Sequence, residues 1–316
     1  MLNKKTLLFL LAAILLITFP LVSNRYWIRT FTFILMYAAM AESWNIMGGF
    51  TGYISFGHAA FFGLGAYTGG ILSTKIGVPF PICIFVAGVV AVIFSLLMGI
   101  VILKLKGHYF AMVSFGIAEA VKGIVNNLSS ITGGGRGLCL ELINNPYLYY
   151  YLCFSLMVAA IITTYFVKKS RLGYGLVAIR ENEEGAAAMG INTTKYKMIA
   201  FAISAIFFGM AGSIYAQWMT YISTPDVFSI KISVTVILIT LLGGSGTVIG
   251  PIVGTWFYQG LSELFWNNFL IFHNSLLGLM MILVIMFIPK GFMELVSGRS
   301  KFSLKLLREN LRYYSE

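Results

Sequence analysis

Charged side chains are scarce in this chain. They make up 10% of its 316 residues, whereas hydrophobic residues make up 59%. Soluble domains carry about 25% charged residues, so this sequence has too little polar surface to cover a core in water. A soluble enzyme and a disordered segment are therefore excluded. Cysteine is scarce too: three residues, two of them in apolar runs, form neither a disulfide framework nor a metal cluster.

The motifs of nucleotide and metal chemistry are absent from the sequence. It has no G-x-x-x-x-G-K-[ST] loop, no H-E-x-x-H pair and no Cys/His spacing typical of zinc or haem. Residues 63–69 and 244–250 resemble dinucleotide loops, but the last glycine of each is wrongly spaced. No nucleophile–base pair is visible. We therefore expect a chain that is not an enzyme, with no catalytic residue and no metal or cofactor of its own.

What the sequence does have is long apolar runs. A membrane-spanning helix needs about 20 apolar residues to cross about 30 Å. Continuous runs favour helices over the alternating strands of a barrel. The predicted fold is all-α: a polytopic integral membrane protein with about ten transmembrane or re-entrant helices. The third, eighth and ninth segments are rich in glycine and are candidates for broken helices. The predicted segments are residues 6–22, 28–47, 51–72, 80–103, 108–125, 147–167, 198–217, 231–249, 250–266 and 271–288.

The formal charge of +11 is spread unevenly between these segments. With the N-terminus inside, 16 of the 22 Lys and Arg residues face the cytoplasm, as the positive-inside rule favours. Both termini and the 168–197 loop are then cytoplasmic, and the 126–146 loop lies outside. The basic excess thus predicts orientation and contact with membrane lipid, not binding to nucleic acid.

One transmembrane domain is predicted over residues 1–289, followed by a basic cytoplasmic tail over 290–316. Residues 1–24 also fit a signal peptide, because two lysines precede an apolar stretch over 7–19. An uncleaved first helix is the preferred interpretation.

Glycines recur at a four-residue spacing, as in Gly246, Gly250 and Gly254, which places them near one helix face. Small residues let membrane helices pack closely, and this is one interpretation. The alternative is a translocation path between broken helices, as in many transporters. The candidate path residues are Glu42, Ser55, Gly57, His58, Glu119, Gly243, Gly244 and Gly246.

Ionisable residues inside the membrane cost about 2.5–3.5 kcal/mol each, so they usually face protein or water. Glu119 and Lys122 are three residues apart and can pair on one helix. His58 is either a hydrogen-bonded packing residue or a proton relay. No chain of acidic and histidine residues resembles the relay of a proton-coupled carrier. The ionisable candidates are Glu42, His58, Glu119, Lys122 and Glu263.

The 168–197 loop carries six basic and three acidic residues between apolar runs. Residues 181–189 favour a helix with acids at its start, Gly190 fits its C-cap and Asn192 fits the start of the next helix. Lys195 and Lys197 are expected at the lipid boundary. A short cytoplasmic helix with small residues suits close docking of a partner, and an ordinary connector is the alternative.

Residues 183–191 (EEGAAAMGI) resemble the EAA coupling loop of ABC importer permeases. The chain as a whole resembles the LivM-type permease subunits of branched-chain amino acid importers. Where that family has Glu-Ala-Ala, this chain has glycine at 185, which weakens a helix by about 1 kcal/mol, so we expect a later helix start. The resemblance is carried by residues 52–67 (GYISFGHAAFFGLGAY), 107–113 (GHYFAMV), 126–137 (NNLSSITGGGRG), 180–216 and 242–251 (LGGSGTVIGP).

The resemblance implies an ABC importer permease fold in a bacterial or archaeal cytoplasmic (inner) membrane, and import of leucine, isoleucine or valine. It implies as partners a second related permease, two ATPase subunits that bind ATP and Mg, and an extracytoplasmic binding protein that the 126–146 loop could contact. The implied ATPase-coupling residues are Arg180, Glu181, Glu183, Glu184, Ala187 and Gly190.

Two other functions stay open at this point. Urea-importer permeases share the same motifs, and one chain does not separate the two solutes. An ion-coupled secondary transporter would act alone, but the coupling loop and the missing acid relay disfavour it.

Overall fold

The computed structural model of the chain describes residues 15–268, together with 275, 278–279 and 291–293. Most of the predicted segments 6–22 and 271–288, and nearly all of the tail over 290–316, lie outside the described residues. Within them the chain is almost entirely helical, which agrees with the all-α prediction. Residues 15–22 are helical. The α-helices that follow are α1 (Arg25–Thr51), α2 (His58–Ile71), α3 (Phe80–Ile102), α4 (Gly107–Asn127), α5 (Ser129–Thr132), α6 (Pro146–Lys169), α7 (Arg171–Glu181), α8 (Glu183–Ala188), α9 (Thr193–Met219), α10 (Thr224–Val227), α11 (Ile230–Gly243) and α12 (Gly250–Asn268).

Four helical stretches in the described residues are long and apolar enough to cross a membrane. They are α3, α6, α9 and the stretch Thr224–Gly243, which contains α10, a two-residue break and α11. The predicted count of about ten is therefore not confirmed. One reason is the length of regular α-helix: α2 has 14 residues, about 21 Å, and then continues as a π-helical turn over Leu72–Ile76.

Two predicted boundaries are corrected by glycine geometry. The third segment does not begin at 51, because α1 ends there and Gly52 (φ 75°) turns the chain before α2 starts. The eighth segment does not continue to 249, because α11 ends at Gly243 and is followed by a loop over 244–249. In that loop Gly244 (φ 118°) and Gly246 (φ 76°) adopt conformations that a helix excludes.

Helix α1 lies at the centre of the molecule and packs against α6, α9, α11 and α12. From residue 38 to residue 51 every residue of α1 is buried. A second group consists of α2, α3 and α9. A Cβ atom on Gly65 of α2 would lie 2.1 Å from the Gly209 carbonyl oxygen of α9, so these helices touch backbone to backbone. At Gly65 and Gly209, therefore, the glycines serve close helix packing, which is one of the two interpretations of the glycine spacing.

The molecule has two ends that matter for function. At one end, called here the α8 end, lie the C-terminus of α1, the N-terminus of α9 and the segment from α7 to α8. At the other, called the β end, strands β1 (Leu138–Cys139) and β2 (Tyr221–Ile222) form a short antiparallel pair. Helix α1 begins at the β end and finishes at the α8 end.

Candidate functional site

The short helix α8 is defined by an asparagine at its start. Asn182 is extended (φ −159°), and its side-chain oxygen accepts a hydrogen bond of 2.9 Å from the Gly185 N–H. This N-cap separates α7 from α8, so the helix predicted over 181–189 is present but begins two residues later, and Glu181 belongs to α7. The prediction of a late start caused by Gly185 is wrong, because the capped helix begins at Glu183.

The C-terminus of α8 closes as the sequence predicts. Gly190 has φ 86°, its N–H donates to the Ala187 carbonyl (3.0 Å), and the Ile191 N–H donates to the Ala186 carbonyl (3.1 Å). These two bonds form a Schellman motif. Asn192 then caps α9 by accepting from the Lys195 N–H at 3.0 Å. Both ends of α8 are thus fixed by local hydrogen bonds.

Helix α8 buries one alanine and exposes the rest of its small residues. Ala186 is buried, whereas Ala187, Ala188 and Met189 are exposed, Met189 by 86%. Glu184 is also exposed and lies 2.9 Å from the Lys106 ammonium, which holds the pKa of its carboxyl below the usual range. The outer surface of α8 therefore presents two alanines between Glu184 and Met189 and is open to a partner.

A buried group of three side chains anchors α8 to the helices. The Lys197 ammonium lies 2.6 Å from the Glu183 carboxylate and 3.2 Å from the Tyr53 hydroxyl. Tyr53 also donates a hydrogen bond to Glu183, and its ring lies 4.4 Å beneath the ammonium. The expectation of Lys197 at the lipid boundary is wrong, because Lys197 is 1% exposed. A charge buried to this degree needs a partner, and Glu183 supplies it.

Arg180 connects α7 to the end of α1. Its guanidinium donates to the Gly49 carbonyl at 3.1 Å and pairs with the Glu181 carboxylate at 2.8 Å. A Cβ atom on Gly52 would lie 3.0 Å from the Arg180 side chain, and one on Gly246 would lie 2.9 Å from its guanidinium. Arg180 thus occupies a gap that these two glycines leave between α1 and the 244–249 loop.

Asn45 holds the same loop from the other side. Its amide donates to the Thr247 carbonyl at 2.7 Å, and its oxygen accepts from the Gly246 N–H at 2.8 Å. The amide thus donates to the loop and accepts from it, which fixes the loop against α1.

Asn45 is the last of five consecutive α1 residues that each bond to a different element, a group called here the α1 cross-link cluster. Two of these bonds are 2.6 Å and 3.0 Å long, from the Ser43 hydroxyl and the Trp44 indole N–H. The carbonyls of Ala41 and Glu42 each accept from a threonine at 3.3 Å. From residue 41 to residue 45 the partners are Thr240 of α11, Thr164 of α6, Ser204 of α9, Ser55 and Thr247 with Gly246.

The predicted path residues are distributed over several helices. His58 is fully buried among aromatic rings, and its Nε2 lies 2.9 Å from the Ser204 hydroxyl. Glu42 is also fully buried, and its carboxylate oxygens have no hydrogen-bond partner among the described residues. Glu119 pairs with Lys122 at 3.0 Å on α4, so the predicted pair is confirmed.

The other path candidates contribute to turns and close contacts. Ser55 accepts from the Trp44 indole through its carbonyl, and Gly57 precedes α2 beside Ser114. A Cβ atom on Gly243 would lie 1.8 Å from the Gly250 carbonyl oxygen. Gly244 and Gly246 lie in the loop beside Asn45. The eight candidates are thus spread over several elements, and their role in a path stays a prediction.

A cavity of about 930 Å³ opens instead along the first half of α1. It lies between α1, α11 and α12, with two residues from α10 and one each from α2 and α9. None of the eight path candidates lines it, but Glu263 does. It is called here the α1 cavity, and its polar and ionisable lining includes Tyr26, Arg29, Tyr37, Tyr215, Asp226, Lys231, Tyr258 and Glu263.

Several functional candidates escape sequence reasoning. The contacts of Lys197, Tyr53 and Asn45 join residues that are far apart in the chain, and no local pattern indicates them. Asn182 is different, because an asparagine before Glu-Glu-Gly-Ala is an N-cap signal that can be read from the sequence.

The molecule is a helical bundle with apolar spans. It has a cavity toward one end and a short exposed helix at the other, which is the organisation of a membrane permease. The family described as "Branched-chain amino acid transport system / permease component" matches residues 26–285, and the chain belongs to that family. It is therefore a multi-pass membrane protein and a transporter subunit.

Curated relatives extend this assignment. The chain is 27% identical to the high-affinity branched-chain amino acid transport system permease protein LivM of Salmonella typhimurium, over 94% of this chain and 77% of the relative. The LivM protein of Escherichia coli gives the same values. The autoinducer 2 import system permease protein LsrC of Photorhabdus luminescens is 28% identical over 36% of this chain and 38% of its own length. No solved structure matches the chain.

Proposed function

We propose that this chain is one of two permease subunits of an ATP-binding cassette importer for leucine, isoleucine and valine. Two separate ATPase subunits, with ATP and Mg bound to them, drive transport. The chain itself supplies helices and a docking helix, and binds no cofactor.

The observation that carries this proposal is the way α8 is held. Its two ends are capped, its inner side is anchored through Glu183 to Lys197, and its outer side exposes Ala187 and Met189. A helix that is rigidly attached and exposes two alanines, Ala187 and Ala188, suits the cleft of a partner. An ordinary connector needs no buried ion pair, which costs several kcal/mol of desolvation before its attraction is gained.

Movement of a docked α8 would reach the membrane helices through Arg180. This side chain bonds to the last turn of α1 and fills the space beside the 244–249 loop. The coupling residues proposed are therefore those of the loop itself, namely Arg180, Glu181, Glu183, Glu184, Ala187 and Gly190.

The orientation proposed follows the positive-inside distribution. The α8 end faces the cytoplasm with both termini, and the β end faces outward, where the 126–146 loop meets a binding protein. The similarity to LivM proteins over 94% of the chain supports the branched-chain substrates.

A second candidate substrate class has its own support. The LsrC relatives are named for autoinducer 2 import, so members of this group carry different solutes. Urea or another small solute is the alternative cargo of the same machinery. An ion-coupled carrier has no such support, and the held α8 argues against it.

The test is reconstitution of the chain with its second permease, its two ATPases and its binding protein in proteoliposomes. Ala187→Trp places a bulky side chain on the exposed face of α8. We expect leucine uptake to fall at least tenfold, and ATP hydrolysis to lose its response to the loaded binding protein.

The matched control is Ala187→Ser, which keeps a small side chain and should stay within about twofold of the wild type. Normal coupled uptake by the tryptophan variant contradicts the docking assignment. Uptake by this chain alone under an ion gradient contradicts the importer, and uptake of urea without leucine favours the alternative substrate.

A further inference from the structure

The α1 cavity has a distinct lining on one face of α1. Tyr26, Arg29, Phe33, Met36 and Met40 follow one another at three- or four-residue steps, with Thr30 and Tyr37 beside them. This spacing is one face of an α-helix over four turns. Because a helix rises about 1.5 Å per residue, the face is about 21 Å long from the first of these residues to the last.

The ionisable side chains lie at the β end of this face. Arg29 is in the second turn of α1, and Lys231 is the second residue of α11. Asp226 belongs to α10, directly after strand β2. Glu263 accepts a hydrogen bond from the Tyr26 hydroxyl, which fixes it at the level of the first turn of α1. The mouth of the cavity thus carries two cationic and two anionic groups.

The deepest lining residues on α1 and α2 are mainly apolar, with the Tyr37 hydroxyl beside them. Met36, Met40 and Phe62 close the cavity, and each is at most 2% exposed. Met40 lies 11 residues beyond Arg29 on α1, about 16 Å further from the mouth. Methionine side chains adapt to different apolar shapes, so this floor does not demand one particular side chain.

We propose that the α1 cavity is a solute-binding section of the translocation path, and that it accepts a zwitterion with an apolar side chain. The carboxylate and ammonium of the solute lie between Arg29, Lys231, Asp226 and Glu263, and its apolar part points toward Met36 and Met40. This inference rests on the proposed function and specifies where and how the substrate is held.

The arrangement separates the candidate cargoes. Leucine, isoleucine and valine have both charges at one end and a hydrocarbon group at the other, which matches the polarity of the cavity from mouth to floor. Urea has no charged group and no apolar part. A volume of about 930 Å³ also leaves room for water around the charged groups, at the upper end of small-molecule sites.

The test is protection of a cysteine in the cavity of the assembled importer. The exposed native Cys139 is first replaced by serine, while Cys83 and Cys153 are buried and remain. Gln259→Cys places a thiol in the lining of α12, and Gly260→Cys places one on the next residue, which is exposed and does not line the cavity. Alkylation of each thiol by a small reagent is followed with and without millimolar solute.

We expect leucine, isoleucine and valine to slow alkylation of Gln259→Cys at least fivefold and to leave Gly260→Cys unaffected. Leucinamide lacks the carboxylate, 4-methylpentanoate lacks the ammonium, and urea lacks both, so none of them should protect. Arg29→Gln should remove protection by leucine. Arg25→Gln, one turn earlier and outside the lining, should retain it.

Leucine uptake by each assembled complex is measured in parallel, so the two proposals fail separately. If leucine is taken up but does not protect, or if urea or leucinamide protects equally, the cavity assignment is wrong and the proposed function stands. If the wild-type complex does not take up leucine, the proposed function fails first. Arg29→Lys keeps the positive charge and should restore protection, which separates a binding role from a folding defect.

Discussion

The Lys197 ammonium lies 2.6 Å from the Glu183 carboxylate, with 2% of the lysine side chain and 17% of the glutamate side chain exposed. This pair joins the first turn of α8 to the second turn of α9, and Tyr53 completes it from the segment before α2. Three parts of the chain therefore meet in one polar contact beneath the exposed face of α8.

Removing the lysine should destabilise this end of the molecule. Lys197→Met leaves Glu183 without its ion partner, and breaking a buried pair costs about 3–5 kcal/mol, with about 3 kcal/mol expected here because Glu183 keeps some contact with water. The midpoint of thermal unfolding of the purified protein in detergent should fall. Lys195→Met, on an exposed lysine two residues earlier, should leave it unchanged. Equal midpoints for the two variants would contradict the assignment.

The same pair predicts a dependence of stability on pH. Burial raises the pKa of Glu183, whereas hydrogen bonds from Lys197 and Tyr53 lower it. The hydrogen bonds have the larger effect, so the pKa lies below 4.5. The unfolded chain then binds more protons than the folded one near this pH, and the stabilisation is complete above 4.5 and is lost as pH falls through the folded pKa. Unfolding midpoints measured from neutral to acid pH should decline less steeply for Glu183→Gln than for the wild type. Parallel curves would contradict the prediction.

The contact between α1 and the 244–249 loop leaves no space at Gly49. A Cβ atom there would lie 1.9 Å from the Asn45 side-chain oxygen and 2.6 Å from the Gly246 nitrogen. Gly49→Ala should destabilise the protein by about 1–3 kcal/mol, the usual cost of overpacking. Gly116→Ala is the matched control, since a Cβ atom on that α4 glycine meets nothing within 4 Å. The thermal midpoint in detergent measures the loss of stability, and coupled leucine uptake measures its effect on transport.

His58 is expected to act in packing. Its ring lies among Phe61, Phe201 and Phe208, and its Nε2 bonds to Ser204. His58→Gln keeps a hydrogen-bonding group and should lower the thermal midpoint while leaving the pH profile of uptake unchanged. A variant whose uptake profile shifts along the pH axis would instead indicate a proton relay.

The parts that could be predicted from sequence are those fixed by neighbours in the chain. The closure of α8 at Gly190, the start of α9 at Asn192 and the pairing of Glu119 with Lys122 all follow from residues within a few positions of one another. Helix content is predictable for the same reason, because apolar runs indicate spans directly.

The remaining features depend on contacts between distant residues. Lys197 lies just before an apolar run, which is typical of a lysine at the lipid boundary. Only the fold brings Glu183 and Tyr53 into contact with it. The span count is not confirmed in the described residues, because a short, glycine-rich helix such as α2 is as apolar as a longer one. The α1 cavity is formed by residues from six helices, each of which has an ordinary helical pattern by itself.

Helix α1 belongs to both ends of the molecule, since its first half lines the cavity and its last turns hold Arg180 and the 244–249 loop. Between the two halves, the α1 cross-link cluster ties the helix to its neighbours on several sides. A helix bonded at its middle to neighbours on several sides cannot shift by itself. A displacement imposed at the α8 end would therefore be shared by α6, α9 and α11 as well as by the first half of α1, which lines the cavity.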